Sequence, residues 1–222
     1  MNLVYYDLNM DIELEEERLN FLVIENPVKL EDFVLSIHSA KQKITEDVSI
    51  FEKFEKINFA KQVDILFSPM SISYHTKEIQ KKLLEYVLEK VQDSYLAEDF
   101  IDISGSLVSL CSKIYLELEY DIEYLDYVEV EDILKLMDIR LKEEEGRFVE
   151  RLIDYSKTMF ELLHRNIFIL VGCSGFLTKI DFEYLRQHQF SQKILFLFVE
   201  SHQIDLESPK KQTIIDIDLC EI

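Results

Sequence analysis

The chain has 222 residues, 24 basic against 44 acidic side chains, a net charge of −20, and an apolar share of 48%. That apolar share excludes a disordered acidic chain, and the length allows one large domain or two small interlocked ones. The acidic sum argues at first sight against a polyanionic partner such as DNA.

Met1 to Met10 carry Asp7 and no Lys or Arg, which is unlike a secretory leader. No apolar run approaches the roughly 18 residues of a spanning helix, so no membrane partner and a cytoplasmic location are expected. Cys111, Cys173 and Cys220 form no C-x-x-C pair and read as reduced core thiols.

The first seventy residues read as short strands around one helix. Met10 to Leu14 alternates with acids, and Phe21 to Ile24 is an apolar run ended by Asn26-Pro27. Lys29 to Ser39 places Leu30, Phe33, Val34 and Ile37 at helical spacing, and Val63 to Phe67 is a strand closed by Ser68-Pro69. The middle is helical. Ile79, Leu83, Leu84, Val87 and Val91 share one face of a helix from Lys77 to Val91. Phe100, Ile103, Leu107, Cys111, Ile114 and Leu118 follow a near-heptad pattern in a second helix. A short helix over Glu129 to Met137 and a third long one from Glu143 to Arg165 complete the expected arm.

The last sixty residues return to strands. Asn166 to Val171 is continuously apolar, hence buried on both faces, and Gly172-Cys173-Ser174-Gly175 is its turn. Thr178 to Gln187 reads as a helix with Thr178 as N-cap and Asp181 three residues on. Lys193 to Glu200 is a second buried strand and Thr213 to Leu219 an edge strand. Strand, turn, helix and strand at this spacing imply a parallel pair with a crossover helix. The expected fold is α/β, with a head domain from 1–70 and 166–222 and a helical leg inserted over 71–165.

The turn after Val171 is not a phosphate loop. Gly172 and Gly175 are only three apart, and Thr178-Lys179 stands in the reverse order of the lysine and hydroxyl such a loop needs. It is not a nucleophile elbow either, although His164 and His188 flank it. The five histidines form no zinc-binding pattern. The topology is NTPase-like without a nucleotide site.

Glu117 to Asp132 holds eight carboxylates in sixteen residues and no basic side chain. Glu119, Asp121 and Glu123 alternate with Tyr120, Ile122 and Tyr124, so an extended segment points all three to one side. Carboxylates without Cys or His suit calcium or magnesium, and a solvated acidic loop is the plainer alternative. It is no EF-hand, because Asp126 stands where that loop requires Gly. Lys77, Lys81 and Lys82 open the first long helix, with Lys77 and Lys81 on one face. Glu78, Glu85 and Glu89 are interleaved with them, so an ordinary solvated face is the alternative there.

Three blocks together resemble a known family. They are Ile167-Phe168-Ile169-Leu170-Val171 with Ser174-Gly175-Phe176-Leu177-Thr178-Lys179, then Ile194-Leu195-Phe196-Leu197-Phe198, and Leu118-Glu119-Tyr120-Asp121-Ile122-Glu123-Tyr124. Their order and spacing resemble the short-form accessory adaptation proteins of type II-A CRISPR–Cas loci. The resemblance implies a degenerate P-loop NTPase-like head with a helical leg and no enzymatic activity. It implies a homotetrameric ring, ordered by calcium, that threads double-stranded DNA from its ends during spacer acquisition, beside the integrase proteins and the RNA-guided effector nuclease.

On that resemblance Glu119, Asp121 and Glu123 are the expected calcium ligands. Asp126 follows what looks like a one-residue insertion near Leu125. Lys77, Lys81 and Lys82 are the expected DNA contacts from charge and position. A ring also resolves the charge conflict, since lysines from four subunits add in one hole while calcium offsets the acidic segment. A pure interaction scaffold and a metal-dependent nuclease are the alternative readings.

Overall fold

The computed structural model describes residues 1–92, 95–143, 145–205 and 210–222. They form two compact units, one of residues 1–73 and 143–222 and the other of residues 74–142.

The first unit contains two sheets. Strands β1 (Asn2–Tyr5), β2 (Met10–Glu13), β4 (Val48–Glu52) and β5 (Glu55–Lys56) form an antiparallel sheet in the order β2-β1-β4-β5. Strands β3 (Leu19–Ile24), β6 (Val63–Leu66), β7 (Ile167–Val171), β8 (Leu195–Glu200) and β9 (Lys210–Ile215) form the second, in the order β6-β7-β8-β3-β9. Every pairing in this second sheet is parallel. The chain is therefore an α/β protein with a parallel sheet.

β3 and β8 are buried along their whole length and β7 over all but its last residue, so both faces of the sheet are covered. Aliphatic side chains take one face: Leu22, Ile169 and Leu197 join a core with Leu3 and Ile50 of the antiparallel sheet, Phe33 and Ile37 of helix α1 (Pro27–Lys41) and Phe59 of the short helix α2 (Phe59–Gln62). The other face is aromatic. Phe21 stacks on Phe198 with ring centroids 4.9 Å apart, and Phe182 meets Phe198 edge-on at 5.4 Å. Truncating Phe198 to alanine is expected to cost about 3–5 kcal/mol in urea unfolding, because the closely packed neighbours cannot collapse into the space. A loss below about 1 kcal/mol would contradict this packing.

Helix α1 starts earlier than its apolar spacing suggests. Asn26 caps it by accepting from the amides of Val28 and Lys29, and Pro27 occupies the first helical turn, where no amide hydrogen is needed. Helix α7 (Lys179–Gln192) has the expected Thr178–Asp181 capping box and runs five residues beyond the expected end. Asp181 is fully buried and also accepts from Arg147 at 2.5 Å. Burial works against its charged form, and the bonds from Thr178 and Arg147 outweigh it, holding the carboxyl below its usual range.

The expected leg is longer than the second unit. Its third helix, α6 (Phe148–Leu163), belongs to the sheet unit. Leu152 and Met159 are buried there, and the Tyr155 hydroxyl donates to Asp64 of β6 at 2.7 Å. Arg165 contacts the same carboxylate oxygen at 3.3 Å. An amphipathic face reports burial without naming the surface it is buried against, which is why the sequence placed this helix in the arm. The edge strand β9 also lies earlier than expected, at Lys210–Ile215. Cys173 alone of the three cysteines is buried; Cys220 is exposed and Cys111 half-buried, correcting the reading of three core thiols. No helix among the described residues is long and apolar enough to cross a membrane.

Candidate functional site

The second unit carries both groups of residues singled out by the sequence. Helix α3 (Lys77–Gln92) presents the lysines, and helix α4 (Leu96–Glu117) is followed by an irregular segment and helix α5 (Val130–Leu136).

The acidic segment runs back along one face of α4 and is fastened at three points. The Tyr115 hydroxyl donates to Asp121 at 3.1 Å, Ser112 and Tyr124 share a hydroxyl pair at 2.8 Å, and the Val128 amide donates to Ser104 at 2.8 Å. Ser104 is buried by this contact, although it lies in a helix that is otherwise largely solvent-facing. Gly105 is tolerated within α4 and its missing side chain faces open space.

Glu119, Asp121, Glu123 and Asp126 are all exposed. As a donor set they suit a hard cation in kind, being carboxylates without thiolate or imidazole. Their placement does not make a cage. Among the described residues no three His, Cys, Asp or Glu side chains are gathered where they could hold a metal ion. A shell of six to eight oxygens would require the segment to draw together.

The three lysines differ in their surroundings. Lys82 donates to Glu85 at 2.6 Å, and this bond pushes its ammonium further toward the charged form. Lys81 lies 3.9 Å from the same carboxylate, at the limit of an ion pair. Lys77 has no ion-pair partner among the described residues. The intervening glutamates therefore offset Lys82 most and Lys77 least. Lys81 also borders a groove of about 440 Å³ between α3 and α5, floored by Leu83, Leu84, Val87 and Leu134.

The exposed apolar face of α4 shares Ile103, Leu107 and Ile114 with the expected one and has Leu110 in place of Cys111. Ile103, Leu107, Leu110 and Ile114 follow one another at spacings of four, three and four, and all are exposed. This is the seam spacing of helices that pair with other helices. The acidic segment covers a different face, through Ser104, Ser112 and Tyr115, and leaves the seam open.

In the first unit, the turn after β7 carries Cys173 and Ser174. The Cys173 thiol is pushed up to about 12 by burial and the nearby Glu200 carboxylate. His188 bonds Ser156 at 3.0 Å, and His164 is the left-handed cap of α6. Neither of these contacts involves Ser174, whose amide donates to Glu200 at 2.9 Å. Nothing in the sequence pointed to Glu200, because a carboxylate ending a buried strand reads as an ordinary strand boundary.

No curated protein matches the chain. A family model described as CRISPR-associated protein (Cas_Csn2) matches residues 41–219, which includes all three blocks that carry the resemblance. With four fifths of its length matched, the chain belongs to the Cas_Csn2 family of CRISPR-associated proteins, the type II-A adaptation proteins.

Proposed function

We propose that this protein is a non-catalytic, sequence-independent binder of double-stranded DNA that encircles linear duplex as a homotetrameric ring during spacer acquisition. The observation that carries this reading is the open α4 seam. A 22-residue helix that leaves Ile103, Leu107, Leu110 and Ile114 in water is built to be covered, and a second copy offers a matching seam. Lys77 and Lys81 supply the phosphate contacts, repeated in every subunit, so few are needed per copy. Calcium bound by Glu119, Asp121, Glu123 and Asp126 would draw the acidic segment together and remove its self-repulsion. Integrase proteins and the effector nuclease are the protein partners.

The α/β unit is read as a degenerate NTPase-like head. Support comes from the link between β3 and α1, only Glu25 and Asn26, which is too short to wrap a triphosphate. The Val28 and Lys29 amides that would face a phosphate are taken by Asn26. A protein-interaction scaffold is the second reading, favoured by Phe176, Ile180 and Tyr184, which are exposed at four-residue spacing on the α/β unit.

The test is a gel shift of linear against covalently closed duplex, with calcium or chelator, alongside light scattering. Calcium-dependent tetramers that shift only linear duplex are expected. Equal affinity for both forms would overturn the ring, and a monomer that shifts neither would leave the scaffold reading.

A further inference from the structure

A buried carboxylate at the carboxyl edge of the parallel sheet has no part in the reading above. Glu200 is the last residue of β8 and is 3% exposed. It lies beside the turn that follows β7, because Val171 and Val199 are paired across the two parallel strands. Burial is the largest influence and holds its carboxyl above the usual range, against the opposing pull of the Ser174 amide and hydroxyl, the nearby His202 and the Cys173 amide. The Ser174 amide donates at 2.9 Å.

The turn is shaped to make those amides converge. Gly172 has φ of +64°, the left-handed region, and Cys173 follows with φ of −95° and ψ of −12°, in the right-handed region. Successive residues of opposite hand turn their N–H groups into one concavity, which is the geometry of an anion-binding nest. The Gly172 amide is spent elsewhere, on Val199 at 2.9 Å, and this bond fixes the nest against β8. The Cys173 thiol anchors the other side, donating to Leu66 of β6 at 3.7 Å and Val171 at 3.4 Å.

We propose that the β7 turn is an oxyanion-binding nest whose resident anion is the chain's own Glu200 carboxylate, and that removing this side chain opens the seat to a free tetrahedral oxyanion such as inorganic phosphate. The seat lies outside the carboxyl ends of parallel strands, where open α/β sheets take up charged ligands. An oxygen of phosphate takes the place of Glu200 Oε1 and accepts from the Ser174 amide. With its own carboxylate in place, the seat is closed to phosphate groups from outside. The proposal concerns the α/β unit alone and stands whether or not the protein encircles DNA.

The experiment measures thermal midpoints of the wild type, Glu200→Ala and Glu200→Gln, without DNA. Each is measured in sodium phosphate and in sodium chloride of equal ionic strength, at one protein concentration. Phosphate strengthens folded proteins generally, so the wild type sets the reference for that effect. In chloride, Glu200→Ala is expected to melt roughly 5–10 °C below the wild type, with its nest donors left unpaired. In phosphate it recovers at least half of that deficit beyond the wild-type shift. Glu200→Gln fills the seat without charge, so it melts low and does not recover. Equal phosphate shifts in the wild type and Glu200→Ala would overturn the proposal, as would a Gln variant as stable as the wild type. If Glu200→Ala does not fold in either salt, the stability of the Gln variant decides by the same criterion.

Discussion

Changing Lys77, Lys81 and Lys82 together to glutamate is expected to lower affinity for linear duplex by about 100-fold or more near physiological salt. Each reversal removes a phosphate contact and adds a repulsive charge, and a ring repeats the change in every subunit. Fluorescence anisotropy over a salt series is the measurement, and the slope of log affinity against log salt should flatten. The single variants are expected to rank with Lys77→Glu most damaging and Lys82→Glu least, since Glu85 already holds Lys82. Glu85→Gln should strengthen binding by releasing both neighbours. Unchanged affinity in the triple variant would place the DNA contacts elsewhere and favour the scaffold reading.

The second large effect is on assembly. Leu107→Glu with Leu110→Glu puts two like charges into the middle of the α4 seam and repeats them on the facing copy. Light scattering should show the mass falling to half the tetramer or less. Far-UV circular dichroism should be nearly unchanged, because both side chains are exposed within the single chain. A tetramer that survives the double variant would show that the seam is not the contact. If DNA binding requires enclosure, the same variant also loses its preference for linear over closed duplex.

The parts of this fold legible in the sequence were those whose pattern has one cause. A run such as Ile167 to Val171 has no polar face, so only a strand buried on both sides accounts for it, and the sheet places it so. Thr178 and Asp181 were readable for a similar reason: a hydroxyl and a carboxylate three residues apart satisfy amides that only a helix start leaves free. What could not be read was strand pairing that no turn residue signals. The hairpin of β4 and β5 turns through Lys53 and Phe54, both in the left-handed region, where Gly or Asn would have signalled the turn. The lysines of α3 and the carboxylates after α4 were visible as charge runs. Their engagement was not, because the Glu85 contact to Lys82 and the Tyr115 contact to Asp121 depend on rotamers and on a fold-back that periodicity does not encode.

The order of strands in the parallel sheet has a consequence for synthesis. β3 lies within the first 24 residues, yet the strands on both sides of it, β8 and β9, lie within the last 28. At ribosomal rates of about 5–20 residues per second, β3 waits on the order of ten seconds or more for either neighbour to be made. During that interval an apolar strand has left the ribosome with both edges unpaired. The antiparallel sheet needs nothing beyond residue 56, and its Leu3 and Ile50 share a core with Leu22 of β3. Together with Phe33 and Ile37 of α1 it is the surface already made that can cover a face of the waiting strand, serving the nascent chain as a built-in chaperone until β8 and β9 arrive.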